Sequence, residues 1–413
     1  MIPVRAVAIV VAMVMAVSPL AAQAPGDPVQ ADPSTAMLDV TDLIRKLRGR
    51  PEPPPDTDGD PDVMRAISPV IGAKPSSGVM FGVAGNLAFY RGDPGPTRIS
   101  AGVGSMTIST KSQTSVTLRL TMFEADDRWR IETDDRFQWT SQETLGLGLP
   151  TPLPEGELVE FNFYRLYQSV YRRLRRHLFA GGGLHFDRHA DVSPGQGFEG
   201  SWAGSPYVTY SEANGLPLDA QTSAGASAEI IWDSRDNFIN ADRGWLTRSS
   251  YRWSTEGFLG GDSHWERVSL DARTYLPLSR TRRHKLAAWV LADLVVDGVA
   301  PYFDLPSTGS DAYGRSGRGY PEGHFRGERL AFAELEYRGT LLGNGFLGMV
   351  AFLNATTVAD RSSGQRLFDR LAPGGGVGLR LLINKRSRTN LAFDVGFGEK
   401  GNKGVYLAVQ EAF

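Results

Sequence analysis

From Ala66 to Phe413 hydrophobic and polar residues alternate with period two, and the polar face carries charges in mid-segment. Around Arg329 to Arg338, Ala331, Ala333, Leu335 and Tyr337 share one face; Phe332, Glu334, Glu336 and Arg338 share the other. Val268, Leu270, Ala272, Thr274 and Leu276 oppose Arg267, Ser269, Asp271 and Arg273, and Leu391, Phe393, Val395 and Phe397 oppose Asn390, Ala392, Asp394 and Gly396. Period two is the signature of β-strands with two different faces. A dry sandwich core does not hold Arg119, Arg130, Glu132, Arg248, Asp293 and Arg380 in mid-strand, whereas a wet lumen does. The expected fold is all-β: a sixteen-stranded antiparallel transmembrane barrel. Its strands fall near 66–73, 77–90, 97–109, 113–125, 128–139, 158–173, 176–187, 221–233, 244–256, 264–278, 283–298, 328–338, 345–358, 374–386, 388–397 and 403–413. Asp135 lands on the apolar face, which predicts a bulge or a shifted register there.

The connections sort by length. Tight turns follow even strands, as at 126–127, 174–175, 279–282 and 387, while the long ones, near 140–157, 188–220, 299–327 and 359–373, all follow odd strands. Short periplasmic turns and long external loops are the habit of outer-membrane barrels, with both ends of the barrel in the periplasm. The chain closes on Phe413 after Val405, Leu407 and Val409, an aromatic end to an amphipathic strand that looks like the sorting signal of such barrels; Glu411 departs from the usual apolar residue.

The remaining features agree. Residues 1–24 read as a secretory signal: Arg5, an apolar run from Ala6 to Val17, then Ala21, Ala22 and Ala24. No later apolar stretch of about 18 residues is available for a membrane helix. Residues 25–65 form a separate periplasmic region. Met37, Val40, Ile44 and Leu47 make one stripe of a short helix that Gly49 and Pro51 stop, and a Pro/Asp-rich linker follows. Asp56, Asp58 and Asp60 resemble a calcium loop, but Ile67 stands where its last ligand would be, so no metal is expected. The balance of 44 Lys+Arg against 46 Asp+Glu gives no basic excess for nucleic acid, and the absence of cysteine excludes disulfides, thiol catalysis and Cys-ligated metals.

The connection after the eleventh strand carries Gly317-Arg318-Gly319-Tyr320, which resembles the Arg-Gly-aromatic motif in the same loop of the BamA/TamA superfamily, the bacterial surface antigen family. Leu335-Glu336-Tyr337-Arg338 looks like that family's strand twelve. The segment Trp232 to Gly244, with Asp233, Arg235, Asp236, Arg243 and Gly244, is similar to its turn between strands eight and nine. The resemblance covers 66–413. It implies that loop six enters the lumen and that Arg318 pairs with Glu336. Its second partner, an acid on strand thirteen, is replaced here by Asn354, which implies a lock of one ion pair and one neutral hydrogen bond. The flanking glycines free the backbone to bring a planar guanidinium to a carboxylate.

The resemblance further implies a Gram-negative outer-membrane location, outer-membrane lipids around a monomeric barrel, and a client protein or periplasmic partner. Assistance to the insertion or translocation of proteins, or of lipids, is the implied role; a passive pore or structural surface protein is the alternative. Residues 25–65 are too few for one of the family's periplasmic (POTRA) receptor repeats. No cofactor and no enzyme activity is expected: no Gly-x-Ser-x-Gly elbow occurs, and His185, Asp187, His189 and Asp191 read as polar lumen or rim residues. Basic turns at 172–177, 280–285 and 385–388 suit headgroups, a partner, or plain solvation. Strand one is expected to be short, with Pro69 in its middle, so that its seam with strand sixteen is the weakest closure.

Overall fold

The computed structural model describes residues 37–49, 63–74, 78–93, 96–149, 156–279, 281, 283–385, 387–409, 411 and 413. The signal segment, the Pro/Asp linker and Arg280, Arg282 and Arg386 of the basic turns lie outside the described residues. The barrel is built from β1 (Val63–Lys74), β2 (Gly78–Phe89), β3 (Ser100–Ser109), β4 (Thr114–Phe123), β5 (Trp129–Thr144), β6 (Glu157–Arg175), β7 (Leu178–Pro194) and β8 (Ala220–Asp233). It continues through β9 (Gly244–Ser254), β10 (Trp265–Pro277), β11 (His284–Gly298), β12 (Arg329–Thr340), β13 (Leu347–Ala359), β14 (Ala372–Asn384), β15 (Thr389–Gly398) and β16 (Lys403–Val409). Neighbours in sequence are neighbours in the sheet, and every pair is antiparallel. No described helix is long and apolar enough to cross a membrane.

A barrel satisfies every peptide group between strands, which lipid demands. β1 and β16 run side by side, yet among the described residues no ladder joins them. The barrel is therefore nearly closed, with one seam. The expectation of a short β1 fails. β1 has 12 residues, all in register with β2, and Pro69 pairs opposite Val83. An edge strand tolerates the missing proline N–H. The short strand is β16, with 7 residues. It ends at Val409 because the chain then turns inward: Glu411 and Phe413 are buried inside the barrel. Phe413 thus does not close an outward-facing strand.

Outward positions hold Val83, Met106, Leu118, Leu166, Leu335 and Leu353, all exposed to the lipid. Trp129 and Trp232 mark the periplasmic end, and Trp139 and Trp253 the external end, as amphipathic aromatics do at membrane interfaces. Asp135 sits on this outer face with no bulge, paired in unbroken register with Leu118 and Leu166. Instead of a register shift it has a polar neighbour: the Gln168 amide donates to its carboxylate at 2.8 Å, and Thr133 donates to Gln168 at 2.8 Å.

Among the described residues, two α-helices stand apart from the barrel wall. α1 (Val40–Leu47) begins with a capping box, in which Asp39 accepts from the Asp42 N–H and Asp42 accepts from the Asp39 N–H. Its polar edge docks on the periplasmic rim, opposite to the apolar stripe that the sequence points to. Lys385 donates to Asp42 at 2.8 Å and the Leu38 N–H to Asn344 at 3.0 Å, while Leu43, Ile44 and Leu47 stay exposed. α2 (Pro206–Ala213), capped by Ser205 with proline in its first turn, belongs to the external connection between β7 and β8.

Candidate functional site

Loop six runs from Val299 to Glu328 and folds into the external mouth. Its first part, Tyr302 and Phe303, buries aromatic surface against Phe161, Phe163 and Tyr207. Arg326 anchors its end, donating to the Tyr302 carbonyl at 2.9 Å and to Gln142 at 2.6 Å. Between these anchors the loop descends, and its tip presents Arg318 at mid-lumen. Gly317 and Gly319 have φ of 79° and 113°, a region that side chains avoid. A Cβ on Gly319 would meet the Phe397 carbonyl oxygen at 2.6 Å. The glycines of the wall serve the same approach: a Cβ on Gly374 would lie 2.9 Å from the Arg318 carbonyl oxygen, and one on Gly396 would lie 2.8 Å from the Gly319 nitrogen.

Arg318 is fully buried and touches three carboxylates. Its Nε and Nη2 bind Glu334, Nη2 also reaches Glu336, and Nη1 donates to Asp394 at 2.8 Å. The guanidinium lies 3.6 Å over the Phe352 ring. The lock is thus larger than one ion pair and one neutral bond. Asn354 does not replace the missing acid; its amide donates to the Arg318 carbonyl at 3.0 Å and to Glu334 at 3.2 Å, fixing loop and strand together. Glu334 and Asp394 face the lumen by simple alternation. That signal was present in the sequence, but the partner of a loop residue is set by three-dimensional register, which alternation leaves open. Tyr320 ties the loop onward: its hydroxyl donates to the Pro373 carbonyl at 2.6 Å and accepts from the Glu399 N–H at 3.0 Å. Tyr406 of β16 accepts from the Gly319 N–H at 3.0 Å and donates to the Tyr320 carbonyl at 3.2 Å.

Two further arginines, Arg338 and Arg380, balance these acids and capture the inturned tail. Arg338 donates to Glu336 at 2.6 Å and to the Phe413 carbonyl at 2.6 Å, and the Phe413 ring packs 5.2 Å from Trp289. Arg380 bridges Asp394 and Glu411, the latter at 2.7 Å. Glu411 is therefore a lumen ligand, which is why the apolar pattern breaks there.

A second hub closes the periplasmic mouth. Asp233, at the end of β8, binds Arg235 through both oxygens at 2.9 and 2.8 Å, Arg130 at 3.2 Å and Arg98 at 3.5 Å. Phe123, Phe179 and Phe238 lie under Arg130 at 5.4 to 6.0 Å. Asp236 accepts from the Asp242 and Arg243 N–H groups and so closes the turn, while the Arg243 side chain is exposed. Gly244 has φ of 107°, and a Cβ there would meet the Ser234 carbonyl oxygen at 2.4 Å. The basic turns take part. Lys285 donates to the Ala241 carbonyl at 2.8 Å, and Arg388 to Asp242 at 2.9 Å. Of the residues weighed for hydrolysis, Asp187 is held by Arg165, Arg252 and Tyr167, and the His185 Nε2 by Ser227. Pro69 stands at the seam, far along the chain from either hub.

A barrel of sixteen strands with its lumen filled by an inturned loop defines a class of outer-membrane proteins. Residues 189–406, more than half of the chain, match the Omp85 superfamily domain, and the chain belongs to that superfamily. Solved structures share the fold. BamA from Haemophilus ducreyi lacking POTRA domains 1-3 is 13% identical over 84% of this chain and 69% of that one, with a TM-score of 0.53. CdiB from Acinetobacter baumannii is 11% identical over 84% of this chain and 59% of that one, with a TM-score of 0.53. CdiB from Escherichia coli is 10% identical over 86% of this chain and 63% of that one, with a TM-score of 0.55. No curated protein matches the sequence.

Proposed function

We propose that this barrel assists the insertion or translocation of a client protein at the outer membrane, by opening sideways at the β1–β16 seam, and that it does so as a monomeric barrel without catalysis. The observation that carries the reading is the seam itself: two adjacent strands with no ladder between them among the described residues, in a solvent where unpaired peptide groups are costly. A client strand pairing with either edge would relieve that cost. Membership of the Omp85 superfamily supports the same direction. A passive pore needs an open bore, and the two hubs and loop six oppose one.

The absence of cysteine makes the test direct. One cysteine replaces Val70 or Ile71 in β1 and a second is scanned through 405–409 of β16, followed by oxidation. If client assembly is lost on bridging and restored by reduction, lateral opening is part of the mechanism. Full activity of the bridged barrel would remove the proposal. Planar-bilayer recordings add an independent check: the intact barrel should show no large steady conductance, and deletion of residues 312–326 should raise it.

A further inference from the structure

The lumen is filled unevenly. Between loop six, which contributes Phe303, Tyr313, Arg315 and Glu322 to its lining, and the far wall lies a cavity of about 340 Å³; the Tyr313 ring lies 5.1 Å from the Arg119 guanidinium. The cavity wall reaches from Leu407 and Val409 of β16 to Met80 of β2, the two strands that flank β1, and continues across β3 to β6. The middle of this wall offers neutral donors such as Ser115 and Gln138.

The cations are what set the chemistry. Arg119 lines the cavity, and its nearest carboxylate is Asp134, 3.7 Å from Nε. Asp134 already gives both oxygens to Arg136, at 2.9 and 2.7 Å. The Arg119 Nε is buried with no hydrogen-bond partner. His189, deeper in the same wall and 4% exposed, likewise has a buried Nδ1 with no partner. Arg119 and Arg136 share the Asp134 carboxylate, with Asp311 of loop six close by, and Arg165 and Arg252 share Asp187, with Asp304 close by. Two acids line the space: Glu411, paired with Arg380, and Glu322 of loop six. A guanidinium N–H without a hydrogen-bond partner, at the edge of a polar, enclosed space, is a donor available to an oxyanion.

We propose that this cavity binds one phosphate-class anion on Arg119, with Gln138 and Ser115 as neutral donors, and that a phospholipid headgroup reaches it through the β1–β16 seam. The anion site stands on the cavity alone; the route rests on the lateral opening proposed above. The volume accommodates a headgroup and leaves the acyl chains in the bilayer on the other side of the seam.

The test uses the full barrel in neutral detergent, titrated calorimetrically with sodium phosphate and, separately, with a soluble short-chain phosphatidylglycerol, against chloride of equal ionic strength. Saturable binding of at least one probe is expected. Arg119→Gln should weaken it by about tenfold or more, while Arg128→Gln, a change at a side chain 75% exposed on a periplasmic turn, should leave it unchanged. Should Arg119→Gln fail to fold, Gln138→Leu must weaken the same probe. Binding of neither probe, or equal binding by a folded Arg119→Gln barrel, overturns the site. In the seam-bridged barrel free phosphate should still bind and the lipid should not; equal lipid binding with the seam bridged overturns the route. Client assembly in the same bridged barrel reports separately on lateral opening, so the site can fail while that reading survives, and the reverse.

Discussion

Arg318 sits among three carboxylates, Glu334, Glu336 and Asp394, and Asp233 sits among three arginines, Arg98, Arg130 and Arg235. The two hubs are opposite in charge, and they differ in how their outer members are supported. Arginines lie on aromatic faces when a partner is lost, and those around Asp233 have Phe123, Phe179 and Phe238 beneath them. Arg98 is also 21% exposed and has Asp127 as a second partner. Carboxylates have no such fallback. Glu334, Glu336 and Asp394 are 0% exposed and depend on guanidinium groups alone for charge compensation. The centre of one hub is a strand end held by its neighbours in the sheet; the centre of the other is a loop tip delivered through glycines of positive φ. A single deletion should therefore be tolerated at one and not at the other.

The largest effect is expected from Arg318→Ala, which leaves three buried acids short of their shared cation and should cost about 3–5 kcal/mol. Denaturant unfolding followed by heat-modifiable gel mobility measures it; Glu334→Gln in the same background should recover part of the loss. Asp233→Ala should cost less, about 1–3 kcal/mol, and equal losses at the two centres would erase the contrast drawn between them. A smaller change of opposite sign is expected outside both hubs. Asp135→Leu puts an apolar side chain where lipid now meets a carboxylate, and should stabilise the barrel by about 1 kcal/mol; destabilisation would mean that this face meets protein. The smallest effect is at α1. Burial by itself raises the Asp42 carboxyl, but the Lys385 ammonium and the Asp39 N–H more than offset it, so its pKa lies below the ordinary aspartate value. Docking strength from this group is then fully present above the ordinary value of 3.8 and is lost as pH falls below it through the folded pKa. A fluorophore on a cysteine placed at Leu47 should report release of α1 only in that acid range, and release near neutrality would contradict the pairing.

Much of the barrel was legible because each strand separates lipid from lumen, and that separation writes period two into the chain. The sixteen segments and the alternation of loop lengths follow from it; the descent of loop six was implied by the family resemblance of Gly317 to Tyr320. What alternation cannot carry is registry between distant strands. Glu334 and Asp394 were visible as lumen residues, yet their meeting at one guanidinium depends on the placement of β12, β15 and loop six together. The inward turn after Val409 depends on Arg338 and Arg380 from two other strands, so an apolar 405–409 reads on as a continuous strand. Pro69 misled because proline disfavours ladders in general, while among the described residues β1 has a ladder with β2 only. Asp135 misled because its compensation is a cross-strand amide, Gln168, rather than a bulge.

Tyr406 lies in the strand that borders the seam and holds both the Gly319 N–H and the Tyr320 carbonyl. The bolt of the lumen and the jamb of the side door are thus fastened by one hydroxyl. By linkage, whatever favours displacement of β16 weakens the seating of loop six, and whatever seats loop six holds β16 in place, by the same free energy in both directions. Axial sealing and lateral opening are then one equilibrium, and Tyr406→Phe should uncouple them while leaving every charge of the lumen where it is.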